Sequence, residues 1–230
     1  MNDNISPEKN SKNIIITIIV LAALGFGFFL FKISPKDQPR PVSESFDIAK
    51  AVKLDKSLPV TEKDHVQGNF NAKNTLIEYG DFQCPACAVI NPAIQHVVEK
   101  FPDTRLVFRN FPLAMHKNAI VAAYAVEAAS AQGKFWEMKD KVYENQNFWS
   151  DMNYPQDKFM DYAKEIGVKD LEKFKKDIEN KTYRPKIEAD FLEATGLGLE
   201  GTPTLLFNGH KLVNMDLPGL LKQIEPFLNK

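Results

Sequence analysis

The chain contains only two cysteines, Cys84 and Cys87, and they stand three positions apart. A single bridge across so short a loop adds little stability, so the chain is not a disulfide-stapled scaffold. A structural zinc site needs a full set of Cys and His ligands, and the four histidines are isolated in the sequence. With 44% apolar and 26% charged residues, the chain has instead the composition of a protein with a hydrophobic core.

The charge balance excludes one class of partner. The 230-residue chain has a formal net charge of −1 and no long run of one sign. Proteins that bind nucleic acid neutralise phosphates with clustered Lys and Arg. No nucleic-acid partner is therefore expected.

Residues 14–31 form an uncharged apolar segment near the N-terminus. Its sequence is IIITIIVLAALGFGFFLF, and as a helix it would span roughly 27 Å, enough for a hydrocarbon core. No small-residue cleavage pattern follows, so we expect an uncleaved single-pass anchor after a cytoplasmic tail at residues 1–13. Basic residues flank both sides, with Lys9 and Lys12 before the segment and Lys32, Lys36 and Arg40 after it, so their count mildly favours the opposite orientation. We place the C-terminal part outside the cytoplasm, where disulfides are made.

A proline-containing spacer and one folded domain are predicted after the anchor. Residues 32–65 contain Pro35, Pro39, Pro41 and Pro59 among polar residues, which is typical of a semi-extended linker. Residues 66–230 are expected to form the domain.

The domain begins with a strand, a helix and a second strand. Apolar runs of strand length lie at 75–79 and 105–111, and the helix between them begins at Cys84, with a kink expected at Pro92. A unit of this kind requires a parallel strand pair and a right-handed crossover.

Residues of about 116–196 are predicted to be helical, and the chain then returns to the sheet. Asn208-Gly209 between two short apolar runs predicts a hairpin, and an amphipathic helix closes the chain. The order indicates an α/β, thioredoxin-like fold with a helical insertion between its βαβ and ββα halves.

A Cys-x-x-Cys pair at the start of a helix has a specific chemistry. The first sulfur faces the unpaired N–H groups and the positive end of the helix dipole, which stabilise a thiolate. Pro85 suits the first helical position because its missing N–H is not needed there. We therefore predict Cys84 as the nucleophile and Cys87 as the resolving thiol of a redox disulfide, against the alternative of two inert buried thiols.

Several segments resemble the DsbA-like thiol–disulfide oxidoreductases of thioredoxin fold. The resemblance covers roughly residues 66–229 and is closest to membrane-anchored members. It departs from the soluble enzyme's Cys-Pro-His-Cys because Ala86 stands at the third position, where it offers no side-chain donor or charge. The segments that carry the resemblance are Tyr79-Gly80-Asp81-Phe82-Gln83-Cys84-Pro85-Ala86-Cys87, Phe111-Pro112-Leu113, His116-Lys117-Asn118-Ala119, Gln132-Gly133-Lys134-Phe135-Trp136 and Gly201-Thr202-Pro203-Thr204.

The resemblance implies further site residues beside the cysteines. Pro203 matches a loop proline that is cis in thioredoxin folds, and the Thr202 backbone is implied to bind an extended substrate beside Cys84. Glu78 matches a buried acid that exchanges protons with the resolving cysteine, and its apolar neighbours suit a strand buried on both faces. His96 and His116 receive no catalytic role.

A cluster of aromatic residues in the insertion is interpreted as core and not as a ligand cage. These residues are Phe135, Trp136, Tyr143, Phe148 and Trp149.

The function implied by the resemblance is donation of the Cys84–Cys87 disulfide to reduced, newly exported proteins. The expected redox partner is a quinone-linked membrane protein of the DsbB type that re-oxidises the pair. The protein is expected to be a monomer without a cofactor or metal. An isomerase or reductase kept in the dithiol state is the first alternative. A copper-binding dithiol or a chaperone is the second, although the six methionines form no Met-rich tract.

Overall fold

A mixed β-sheet with helices on both faces forms the centre of the fold. The computed structural model describes Phe46 and residues 55–228, so the predicted apolar anchor at 14–31 and most of the spacer lie outside the described residues. Within the described part of the chain, none of the helices has both the length and the apolarity to cross a membrane.

Strands and helices follow in the order that the sequence predicts, with one strand added at the start. The strands are β1 (His65–Gln67), β2 (Asn74–Gly80), β3 (Thr104–Asn110), β4 (Thr204–Phe207) and β5 (His210–Lys211). The helices are α1 (Pro85–Lys100), α2 (Ala119–Ser130), α3 (Phe135–Glu144), α4 (Gln146–Trp149), α5 (Gln156–Glu165), α6 (Leu171–Glu179), α7 (Arg184–Gly196) and α8 (Leu217–Leu228).

The five described strands form one sheet in the order β1-β3-β2-β4-β5. The β2 and β3 strands are parallel and joined by α1, as predicted, while the other neighbours are antiparallel. The βαβ unit, the helical insertion and the ββα end are all confirmed. Pro92 lies inside α1, which runs through it as a single helix.

The β2 strand is buried on both faces because it lies at the centre of the sheet. Glu78 is paired with Phe108 of β3 on one side and Leu205 of β4 on the other. Since side chains alternate along a strand, Leu76, Glu78 and Gly80 share one face. Leu76 packs there in a cluster with Ile90 and other residues of α1.

The helical insertion is built around α2. Its residues Ala119–Ala129 are all buried, including Glu127, and a helix that is apolar all round belongs in a core. The α3, α5 and α6 helices pack against it. The insertion therefore has its own buried centre, and α3 also packs against α1 of the βαβ unit.

A buried arginine ties the chain before β1 to the sheet. Arg109 donates from Nε to Asp64 at 2.9 Å and from a terminal nitrogen to Glu193 at 2.6 Å. It also donates to the carbonyl of Leu58 at 3.2 Å, and Leu58 in turn donates its N–H to Glu193 at 2.7 Å. A buried cation of this kind is tolerated only when it is paired on several sides.

The β4–β5 hairpin confirms the Asn208-Gly209 prediction. Both turn residues have positive φ, 48° at Asn208 and 83° at Gly209, as this two-residue turn requires. The Asn208 side chain also accepts a hydrogen bond from Thr75 N–H at 2.8 Å, which fixes the turn against the start of β2.

Candidate active site

The two cysteines lie at the start of α1, directly after the carboxyl end of β2. Cys84 is the N-cap residue, with extended backbone at φ −71° and ψ 119°, and Pro85 opens the helix. The Cys84 carbonyl accepts from the N–H groups of Cys87 at 3.1 Å and Ala88 at 3.3 Å. Both cysteines are free thiols and both are buried, Cys84 with 6% and Cys87 with 0% exposure.

The surroundings move the pKa values of the two thiols in opposite directions. A hydrogen bond from the Cys87 thiol, helped by the Thr202 side chain and the N–H groups of Ala86 and Cys87, lowers the pKa of Cys84 to about 5 against the cost of burial. Burial, together with the nearby Cys84 and Glu78, raises the pKa of Cys87 well above its ordinary value. Only the first sulfur is a thiolate near neutral pH.

The loop before β4 supplies the other side of the sulfur site. The Thr202–Pro203 peptide bond is cis, which confirms the geometry implied by the resemblance. The Cys84 thiol donates to the Thr202 carbonyl at 3.3 Å, so the backbone of this loop lies beside the first sulfur, as expected. The Thr202 hydroxyl is buried and bonds to no other group within the described part of the chain, so its O–H is free to act on the Cys84 sulfur, whose pKa it helps to lower.

Glu78 is completely buried beneath the cysteines, in the middle of β2. Burial raises the pKa of its carboxyl, while Lys139 of α3, whose Nζ lies 3.4 Å from Oε2, acts in the opposite direction. Its charge is among the influences that raise the pKa of Cys87. The structure thus places the acid close enough to the second thiol to influence its protonation.

Lys139 is a buried lysine that no motif in the sequence indicates. Its side chain has 0% exposure, its ammonium donates to Asn91 of α1, and it lies 5.0 Å from the ring centre of Tyr143. Asn91 in turn donates to Asp140 at 2.9 Å. A polar chain therefore runs from the acid on β2 through α3 to the active-site helix.

Asp81, in the loop that leads to Cys84, forms a hydrogen-bonded pair with His116. Asp81 is buried and accepts from the N–H groups of Gln83 at 2.7 Å and Leu113 at 2.8 Å. It also accepts from Nδ1 of His116 at 2.7 Å, and this bond raises the pKa of the histidine. His116, for which no catalytic role was predicted, therefore lies in the wall of the site.

The insertion also holds the backbone of the first cysteine. Gln146 of α4 donates from Nε2 to the carbonyls of Phe82 at 2.8 Å and Cys84 at 3.0 Å. The Gln83 side chain donates to the Ser150 carbonyl at 2.7 Å and accepts from Asn118 N–H at 2.6 Å. These bonds join segments that are more than thirty residues apart, which is why spacing in the sequence did not reveal them.

One prediction about the aromatic residues is wrong. Phe135, Tyr143 and Trp149 are buried as expected, but Phe148 is 69% exposed. The reason is that α4 has only a single turn, so Trp149 packs into the core while Phe148 points to solvent.

A metal centre is not indicated by the side chains of the described residues. Among the described residues, no three His, Cys, Asp or Glu side chains come together in a way that could hold an ion.

Comparisons with known proteins identify the family. A family model described as Thioredoxin matches residues 60–226, which is most of the chain. The chain belongs to the thioredoxin family.

Solved structures place it near the DsbA-like members. BdbD from Bacillus subtilis in its oxidised form is 26% identical, with a TM-score of 0.68, over 78% of this chain and 99% of that one. Pseudomonas aeruginosa DsbA2 is 29% identical, with a TM-score of 0.57, over 75% of this chain and 97% of that one. The DsbA-like resemblance is thereby confirmed, and thiol–disulfide exchange is the chemistry that this site and family share.

Part of a protein named as an antiporter is also similar to this chain. A Na(+)/H(+) antiporter NhaA 1 of Mycolicibacterium vanbaalenii is 35% identical over 211 residues, which is 89% of this chain. The match covers 31% of that protein, so this chain spans about a third of its length.

The Thr202 hydroxyl generates a prediction about the Cys84 thiolate. Thr202→Val keeps the shape of the side chain but removes a donor, so the pKa of Cys84 should rise by about one unit. Thiolate absorbance near 240 nm, followed against pH in the reduced protein, measures it. Thr195→Val, whose hydroxyl bonds to Phe191 within α7, is the matched control and should leave the titration unchanged. If the Cys84 pKa is unchanged in Thr202→Val, the hydroxyl does not contribute to lowering it.

Proposed function

We propose that the protein donates the Cys84–Cys87 disulfide to reduced, newly exported proteins. The observation that carries the proposal is the opposite displacement of the two thiol pKa values. A stabilised Cys84 thiolate is a good leaving group, which favours transfer of the disulfide to a substrate. It also makes the reduced protein the favoured state of the pair.

The proposed roles follow from the positions of the groups. A substrate thiolate attacks Cys84, the bond between Cys84 and Cys87 breaks, and Cys87 leaves with the electron pair and takes a proton from Glu78. A second substrate thiolate then attacks the mixed disulfide at the substrate's sulfur. Cys84 leaves as thiolate, and the substrate carries the new disulfide.

The surface around Cys84 supports a polypeptide substrate of extended form. Thr202 offers backbone groups beside the sulfur, and the peptide bond that joins it to Pro203 is cis. Three exposed apolar side chains belong to segments that carry or contact the Cys84 loop. They are Val89 on α1, Met115 next to His116, and Phe148 two residues after Gln146, with exposures of 81%, 80% and 69%. Such residues suit binding of unfolded chains of varied sequence.

The proposed setting is the extracytoplasmic face of the cytoplasmic membrane. The apolar segment 14–31 is the proposed anchor, and a relative named as an antiporter agrees with a membrane location for a domain of this kind. The proposed redox partner is a DsbB-type, quinone-linked membrane protein that re-oxidises the pair. A reductase or isomerase, and a copper-binding dithiol, remain the competing functions.

The roles of the two cysteines are tested by trapping. Cys87→Ser leaves the attacking thiolate but removes the resolving thiol, so it should accumulate mixed disulfides with client proteins in cells. Cys84→Ser should accumulate few, and it is the matched control. Non-reducing electrophoresis followed by mass spectrometry measures both. Capture by the Cys84 variant alone would reverse the assignment.

The location of the domain is tested by labelling. A maleimide too large to cross the cytoplasmic membrane should label reduced Cys84 in cells stripped of their outer layers. Lysed cells give the maximum signal and Cys84→Ser gives the background. Labelling that appears only after lysis would place the domain in the cytoplasm and would contradict disulfide donation to exported proteins.

The direction of electron flow is tested by stability. The pKa of Cys84 is lowered from 9.0 to about 5 in the folded reduced protein, so the thiolate adds stability that is complete above pH 9 and lost as pH falls through about 5. Cys87 stays a neutral thiol across this window and adds nothing. At pH 7 the reduced protein should resist urea better than the oxidised one by about 1 to 4 kcal/mol.

Urea unfolding of the oxidised and reduced protein at several pH values measures this difference. In Cys84→Ser, which has no thiolate at this position, adding reductant should have no pH-dependent effect on stability. An oxidised form that is more stable by several kcal/mol would indicate a reductase.

A further inference from the structure

Glu78 is left short of hydrogen bonds. Its carboxylate is completely buried, and neither oxygen has a hydrogen-bond partner within the described residues. The Lys139 ammonium at 3.4 Å forms an ion pair with it, but its own hydrogen bond goes to Asn91. Since buried polar groups are normally satisfied, the carboxylate lacks a donor that the surroundings should supply.

Tyr143 carries a buried hydroxyl on the same side of β2. Its hydroxyl is buried and also has no partner within the described part of the chain. A Cβ built on Gly80 would lie 3.0 Å from this hydroxyl, so the hydroxyl stands over the face of β2 to which Gly80 belongs. Glu78 is two residues earlier on the strand and shares that face. The acceptor and the donor therefore meet in the same buried space.

The two α3 residues are placed to act together. Lys139 and Tyr143 are four positions apart, one helical turn, so both point from α3 toward the same face of the sheet. The Tyr143 hydroxyl helps to hold down the pKa of Glu78, and burial raises the pKa of Tyr143 so that it remains a donor.

We propose that Lys139 and Tyr143 are positioning residues that act through the Glu78 carboxylate on the protonation of Cys87. The inference rests on the proposed function, because it assigns to Glu78 the proton exchange described there. It makes α3, an element of the helical insertion, part of the control of the second cysteine.

The remaining charged and titratable groups around Glu78 come from three places. Asp140 of α3 opposes ionisation of the carboxyl, while Cys87 of α1 and the preceding Cys84 interact with it or with Tyr143. Asp81 follows β2 and faces Tyr143. The neighbours of Glu78 on β3 and β4 are Phe108 and Leu205, which carry no charge.

The reaction step that this arrangement controls is closure of the disulfide. In a mixed disulfide at Cys84, the Cys87 thiol gives its proton to the Glu78 carboxylate and attacks the Cys84 sulfur. The bond between the Cys84 sulfur and the sulfur of the other molecule breaks, and that molecule leaves as a thiolate with the electron pair. Closure therefore needs Glu78 ionised, and groups that stabilise its carboxylate extend closure to lower pH.

The experiment measures closure against pH in the full-length reduced protein. Oxidised glutathione in excess forms the mixed disulfide, and acid quenching with mass spectrometry follows its conversion to the Cys84–Cys87 disulfide between about pH 4 and 8. Tyr143→Phe and Lys139→Met should move the midpoint to higher pH. Each should slow closure about tenfold on the acid side, since each removes an interaction with a charged group.

Three controls separate this role from a structural one. Tyr162→Phe makes the same change on α5 and should leave the profile unchanged. In a Glu78→Gln background, Tyr143→Phe should alter closure less than about twofold, because the group through which it acts is gone. The titration of Cys84 by thiolate absorbance should remain that of the wild type in the Tyr143→Phe protein.

Two results would overturn the proposal. One is a Tyr143→Phe profile that coincides with the wild type, and the other is an equal shift with and without Glu78. Oxidised glutathione replaces the re-oxidising partner in this assay and no client protein is present. Failure to oxidise clients in cells would therefore reject the proposed function without affecting the closure profile.

Discussion

The difference between the two sulfurs is the constraint on which the rest of the site depends. Cys84 at the start of α1 is held as a thiolate with a pKa of about 5, whereas burial keeps Cys87 protonated. A helix start alone favours the first thiolate, because unpaired N–H groups point at it. The sheet adds a buried acid on β2 and a cis-proline loop before β4. The two side chains are chemically identical, but these surroundings lower the pKa of one thiol and raise the pKa of the other.

The helical insertion contributes to the site as much as the sheet does. Gln146 binds the Cys84 carbonyl, His116 binds Asp81 in the loop before it, and Lys139 pairs with Glu78. These contacts come from three separate segments of the insertion or its entry loop. The site is therefore incomplete without the insertion, because the insertion supplies partners for buried polar groups of the sheet and the Cys84 loop.

Local signals made much of the fold and the sulfur site predictable. The Cys84-Pro85 helix start, the apolar strand runs and Asn208-Gly209 each specify structure within a few residues, and the family resemblance added the cis bond at Pro203. The partners of the buried groups were not predictable, because Lys139 and His116 meet Glu78 and Asp81 only after folding. β1 escaped prediction because three half-buried residues give no periodic pattern. Phe148 was misassigned because a single helical turn decides which of two adjacent aromatic residues is buried.

Ala86 shows how the site works without a polar residue between the cysteines. It is exposed, and the lowered pKa of Cys84 arises first from the Cys87 thiol, then from Thr202 and backbone N–H groups. The Cys87 thiol is a hydrogen-bond donor only in the reduced protein, so it stabilises the dithiol state and not the disulfide state. A difference of about 1.4 kcal/mol between the two states corresponds to roughly 30 mV in the potential of the pair. A donor that exists only after reduction therefore stabilises the reduced protein, which supports the proposed disulfide donation. Ala86 offers no polar group to the Cys84 thiolate, but the Cys87 thiol, Thr202 and the backbone N–H groups still lower its pKa.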